Sequence, residues 1–168
     1  MRPWTRAALL ALVLALAAAP AAAQNQIAQD GWEGFAMRDA NNNFDRCVLY
    51  NRTVAALTVS PYEMLGITRD AGGRIGLLVF YDPRDLTRGK TTVRIKLDQR
   101  PATSFPGEAL SDFHVDVPAL DADTVTALRN AKTMDATTGG HTMHFDVGNA
   151  GAVLERLDTC VKIYGPKS

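Results

Sequence analysis

The sequence predicts an α+β domain: a mainly antiparallel β-sheet, or a β-sandwich, with two helices in its C-terminal half, the last of them docked on the sheet. Three observations carry this. Segments 91–98 (TTVRIKLD), 112–117 (DFHVDV) and 141–147 (HTMHFDV) alternate apolar and polar residues, the period of a half-buried strand. Clusters of Asn, Asp and Gly at 39–43, 70–73 and 138–140 punctuate the strand-like runs as hairpin turns do. Helical periodicity enters only after Pro118, and strongest in the last 20 residues.

Residues 1–23 carry Arg2 and Arg6, then an Ala/Leu/Val run over 7–19, then Pro20 and three alanines. A charged start, a short apolar stretch and small residues before Gln24 are the pattern of a secretory signal peptide. The run is shorter than the ~20 residues a membrane-spanning helix requires. The expected mature chain is residues 24–168, a single α+β domain with no transmembrane segment, placed in the periplasm or secreted. The 168-residue chain has 18 basic and 18 acidic residues; without Arg2 and Arg6 the mature net charge is about −2. Such a balance offers no electrostatic basis for binding nucleic acid.

Residues 24–31 are polar and read as a frayed end. Strands are expected at 32–38, 44–51 and 54–60, the first two separated by the turn at 39–43. Residues 62–70 read as a further strand, with a helical turn at Glu63-Met64-Leu65 as the alternative, closed by Asp70-Ala-Gly-Gly73. Residues 74–81 (RIGLLVFY) are almost continuously apolar, as in a strand covered on both faces. Residues 86–90 form a loop ending at Gly89. In 91–98, Val93, Ile95 and Leu97 point inward. Residues 100–107 are Pro-rich and read as irregular, and Phe113, Val115 and Val117 share one face of the strand at 112–117. Asp121 or Asp123 caps a helix reaching about Lys132, with Leu120, Val125, Leu128 and Ala131 on its buried side. A strand at 133–137, the Gly139-Gly140 turn and the strand 141–147 follow. Asn149 caps the last helix, 150–163, whose stripe Ala150, Val153, Leu154, Leu157, Cys160, Val161 and Tyr164 has i, i+3, i+4, i+7 spacing.

Two cysteines, Cys47 and Cys160, survive signal removal. An oxidising compartment favours a disulfide between them, and Cys160 lies on the inward stripe of the last helix, facing the strands. Their 113-residue separation excludes a CxxC redox motif or a zinc knuckle.

The pattern points to no catalytic, cofactor-binding or metal-binding residue. His114 with Asp112 and Asp116, and His144 with Asp146, fall on polar strand faces. They read as exposed residues, with a metal or small-ligand carrier site on a His114/His144 face as the alternative. His141 lies three residues from His144 and so on the opposite face. Asp82/Asp85 and Asp121/Asp123 read as turn and cap residues. Ser60 and Ser104 lack the context of a nucleophile. Asn51-Arg52-Thr53 matches a glycosylation sequon that is frequent by chance. Arg94, Lys96 and Arg100 form a small outward cationic strip.

Between 80 and 98, Pro83, Leu86, Gly89, Val93, Ile95, Leu97 and Asp98 follow a strand, Leu-x-x-Gly loop and aliphatic-Asp strand pattern. This resembles the invasion-associated locus B family of small exported bacterial proteins. Residues 125–134 are similar to that family's short helix and following strand, 145–161 to its closing strand and helix, and Cys47 to its early cysteine. The likeness spans about two-thirds of the mature chain. The chain departs from the pattern in having no cysteine pair around residues 100–115 and in carrying Cys160 in the final helix. The resemblance implies a β-rich exported domain, associated in some members with host-cell invasion, and assigns no catalytic residue. The functional expectation is a non-enzymatic periplasmic or secreted domain that binds a protein or cell-envelope component. A carrier is the alternative, and an enzyme of unrecognised type the third possibility.

Overall fold

The computed structural model describes residues 26–51, 63–82 and 84–167. The expected signal peptide, the strand expected at 54–60, the sequon's Arg52 and Thr53, Ser60 and Pro83 lie outside the described residues. Ten strands form one antiparallel sheet in the order β1-β2-β3-β4-β5-β8-β7-β6-β9-β10. They are β1 (Gln26–Gln29), β2 (Trp32–Arg38), β3 (Phe44–Tyr50), β4 (Met64–Asp70), β5 (Ile75–Phe80), β6 (Gly89–Leu97), β7 (Thr103–Ala109), β8 (His114–Val117), β9 (Thr133–Thr138) and β10 (His141–Asp146). Among the described residues the helices are α1 (Ala122–Leu128) and α2 (Ala150–Tyr164). The α+β expectation holds: one antiparallel sheet with two helices, the last docked on it.

The inner face of the sheet carries the main core. Ile27 of β1 and Met143 and Phe145 of β10 belong to the same apolar cluster as Leu154, Leu157 and Cys160 of α2. Opposite ends of the strand order therefore meet in one core, which requires the sheet to curl. Helix α2 packs against β1, β2, β3 and β4. Its buried residues are Ala150, Val153, Leu154, Leu157 and Cys160, the expected stripe less its last two members, which pack at the core's margin. The Cys47–Cys160 disulfide joins β3 to this stripe with Cα atoms 6.2 Å apart. Beside it, Arg69 of β4 pairs with Asp158 of α2 at 2.6 Å.

Four local expectations need correction. Residues 26–29 are a strand, because Asp30 (φ 47°) and Gly31 (φ 85°) form a two-residue hairpin turn that pairs Gln29 with Trp32. An Asp-Gly pair is a strong hairpin signal, and it outweighs the polar character of the segment. Residues 103–109 are strand β7 despite Pro106. Leu110 N donates to His114 O, and Glu108 faces Asp116, so even-numbered residues of β7 turn their backbone groups toward β8. Pro106 turns its donorless nitrogen the same way, beyond the reach of β8, where no ladder bond is lost.

Helix α1 stops at Leu128, short of Lys132, with Thr124, Ala127 and Leu128 buried. The amides of Lys132 and Thr133 donate instead to Asp98 Oδ1, at 3.0 and 2.9 Å, which pins the start of β9 to the end of β6. These backbone bonds hold the Asp98 carboxyl below its ordinary range. Asp121 is the N-cap of α1, accepting from Thr124 N at 2.7 Å. Asn149 occupies the N-cap position of α2, but its side chain makes no capping bond. Its backbone (φ −107°, ψ 14°) departs from the extended conformation that aims a side chain at the first turn.

Candidate functional site

Strands β2 to β5 are apolar on both faces, and the outer face is where the candidate site lies. Alternation puts Phe35 and Met37 of β2, Val48 and Tyr50 of β3, Met64 of β4, and Leu78 and Phe80 of β5 on this side. They form a second apolar cluster separate from the main core, whose described members all come from strands. Both helices contribute only to the inner cluster. Phe35, Met37 and Phe80 are half-buried, whereas Val48, Tyr50, Met64 and Leu78 are buried.

Aromatic rings run across this face from strand to strand. Phe35 and Tyr50 have centroids 6.2 Å apart, and Tyr50 and Phe80 6.0 Å apart, edge to face. Phe80 stacks on His114 of β8 at 4.3 Å and touches Phe113 at 6.1 Å. The Arg84 guanidinium sits 4.4 Å over the Phe113 ring, a cation–π contact. Gly66 makes this continuity possible. It pairs with Tyr50 across β3 and β4, and a Cβ there would stand 2.8 Å from the tyrosine ring. The missing side chain lets Tyr50 lie over β4 and reach Phe80.

Polar groups flank the row. Arg46 Nη1 donates to both carboxylate oxygens of Asp116, at 3.2 and 3.0 Å, and its Nε donates to Asp45 at 3.0 Å. A hollow of about 240 Å³ beside this pair is lined by Thr68, Asp70, Arg74 and Pro118. Burial pushes the Tyr50 hydroxyl up to about 12, so it stays protonated at neutral pH. Burial also holds the His114 imidazole below its ordinary value, against the pull of Asp116 and with the help of Arg46; its Nε2 is buried without a hydrogen-bond partner.

This environment yields a stability prediction. A histidine depressed in the folded state stays neutral there but protonates in the unfolded chain from about pH 6.5 downward. Stability attributable to His114 is therefore full above that pH and declines as pH falls through its folded value. Urea unfolding at pH 7.5 and 5.5 should show a smaller acid-side loss for His114→Phe than for the natural chain. Equal losses would remove His114 from the account.

The structure separates the histidines that share polar faces in the sequence. His114 is stacked in the aromatic row on β8, and three strands lie between it and His144 on β10. That is four strand spacings, on the order of 19 Å along the sheet. His144 Nδ1 meets Asp135 at 2.7 Å, His141 Nε2 meets Asp85 at 3.0 Å, and Asp116 belongs to Arg46. The solvated face expected to unite His114, His144, Asp112, Asp116 and Asp146 is not formed. Among the described residues no three His, Cys, Asp or Glu side chains are grouped to hold a metal ion. Gly139 and Gly140 turn the chain with φ 55° and 85°, as expected of a hairpin. Arg94 and Arg100 are exposed, in keeping with a solvated strip. Sequence reasoning missed the aromatic row. Its signal was available in the apolar outward set 35, 37, 48, 50, 64, 78 and 80, which repeats the both-faces pattern recognised only for β5.

No protein-family model matches this chain. No curated protein matches it either. Among solved structures, invasion associated protein B from Bartonella henselae superposes with a TM-score of 0.56, covering 82% of this chain and 97% of that chain at 14% sequence identity. The chain shares the fold of that protein at a wide distance in sequence.

Proposed function

We propose that this protein is a non-catalytic exported domain, periplasmic or secreted, that binds a protein or cell-envelope component through the outer face of β2–β5 and β8. The aromatic row is the observation that carries this reading. Aromatic residues, Met and Arg are enriched where proteins bind one another, and the half-buried rings of Phe35, Phe80 and Phe113, packed around the buried Tyr50, present apolar area at low conformational cost. The signal-like first 23 residues and the buried disulfide fit an oxidising compartment outside the cytoplasm. The likeness in fold to an invasion associated protein gives a setting in which to seek the partner.

A photo-crosslinking amino acid placed at Phe35 or Phe80, with Arg94 and Ser104 as controls on the polar part of the sheet, tests the face. Expression in the organism of origin should give a discrete adduct from positions 35 and 80 and none from 94 and 104. Adducts from all four positions, or from none, would overturn the assignment. Mass analysis of the osmotic-shock fraction checks export: the expected species begins at Gln24 and is two hydrogens lighter than the dithiol.

A further inference from the structure

A second surface, remote in the strand order from the aromatic row, has the features of a site for an added strand. Strand β10 closes one end of the sheet and, among the described strands, pairs only with β9. The two-residue turn at Gly139-Gly140 pairs Thr138 with His141, and Val147 N donates to Lys132 O. Odd-numbered residues of β10 therefore direct their backbone groups to β9, and Thr142, His144 and Asp146 direct theirs to the edge that no described strand pairs. Proteins ordinarily blunt such an edge with charged side chains, lysine above all, with proline, a bulge or a very short strand, or by covering it; of these β10 has only the carboxylate of Asp146 at its end and the partial cover of the β1–β2 turn. The open stretch of β7 has Pro106 for this purpose, whereas β10 is six residues long with neither proline nor lysine.

A cleft of about 1000 Å³ lies against β10, lined also by the β1–β2 turn and by the residues leading into α2. Its apolar lining is Trp32 and Phe145, each 5% exposed. Its charged lining is Asp30, Asp135 and Asp146 against Lys132, with His144 held by Asp135. Three carboxylates against one ammonium give the cleft an excess of acidic side chains.

The geometry points to β10 and this cleft as a docking site for an extended basic segment of another protein, added to the sheet edge as an eleventh strand. Main-chain bonds to residues 142, 144 and 146 would supply affinity. Alternate side chains would divide between the Trp32/Phe145 lining and the carboxylates, so the segment should alternate apolar and basic residues. This site is independent of the aromatic row.

The test uses a fluorescein-labelled peptide of alternating Lys and Val, with its Glu/Val counterpart as control, added to the full mature chain. Fluorescence anisotropy reads binding, and hydrogen exchange reads the amides of Thr142, His144 and Asp146. The Lys/Val peptide should bind and slow exchange at those amides, and the Glu/Val peptide should not. Thr142→Pro removes an outward donor without touching the β9 ladder and should weaken binding by at least about tenfold. Should that variant misfold, Asp30→Lys with Asp135→Lys tests the charge term and should weaken binding by a similar factor. Equal binding of the two peptides, absence of binding, or protection elsewhere would overturn the proposal. So would concentration-dependent dimerisation that protects the same amides without peptide, because the occupant would then be a second copy. Crosslinking from Phe35 and Phe80 reports separately on the aromatic row.

Discussion

Replacing Cys160 with serine should lower the stability of the oxidised protein by about 2–5 kcal/mol, the range for native disulfides in small secreted domains. The bridge closes a loop of 113 residues between β3 and α2, so its removal restores a large amount of freedom to the unfolded chain. In the folded state both sulfurs are fully enclosed, and a serine hydroxyl at position 160 would have to find a hydrogen-bond partner in an apolar core. Urea unfolding of the natural chain with and without reductant, and of Cys160→Ser, measures the effect. The variant and the reduced natural chain should agree within the hydroxyl's cost. Equal stability of the natural chain in oxidant and reductant would show that the bridge contributes nothing.

Leu157→Ala should cost about 2–5 kcal/mol, the loss for a leucine deleted from a core that relaxes only in part. Leu157 has no exposed surface and lies on the side of α2 that packs on the sheet. Ile163, on the same helix but 54% exposed, is the control, and Ile163→Ala should stay within about 0.5 kcal/mol. Leu157 and Cys160 hold the same helix to the same strands, so their losses should not add. The double variant should lose less than the sum of the two singles, by about 0.5–3 kcal/mol, because a helix already freed of its covalent tie has less packing to forfeit. Additive losses would mean that the bridge and the apolar stripe act on separate units. Hydrogen exchange in α2 would locate the change.

Much of the architecture is legible in the residues because its causes are local. Alternation at 91–98, 114–117 and 141–147 sets which side chains face the core, and Val93, Ile95, Leu97, Val115, Val117, Met143 and Phe145 are buried accordingly. Phe113, expected on the face of Val115 and Val117, lies just before β8 and joins the outer row beside Phe80 instead. The stripe of the last helix and the presence of just two cysteines are enough to place Cys160 against a core strand. Where the reading fell short, a longer-range contact overrode the local preference. Asp98, 34 residues away in sequence, takes the amide of Lys132 and ends α1 early. Pro106 is admitted to a strand because β8 stops pairing before reaching it.

The candidate surfaces belong to this second kind. The apolar character of residues 35, 50 and 80 is written in the chain, but their union into one row depends on the neighbour relations of β2 to β5 and on Gly66 clearing space for Tyr50. His114 joins that row, and not the side of His144, because β8 pairs with β5, setting His114 opposite Phe80. By itself, the sequence determined the α+β class, most turns, the inward faces and the disulfide, since each follows from residue type and short-range period. The tertiary structure alone decided strand order, and with it the aromatic row, the separation of the histidines and the edge of β10 that no described strand pairs. Pairing between distant strands is selected by the packing of the whole sheet, and it leaves no periodic mark on either strand.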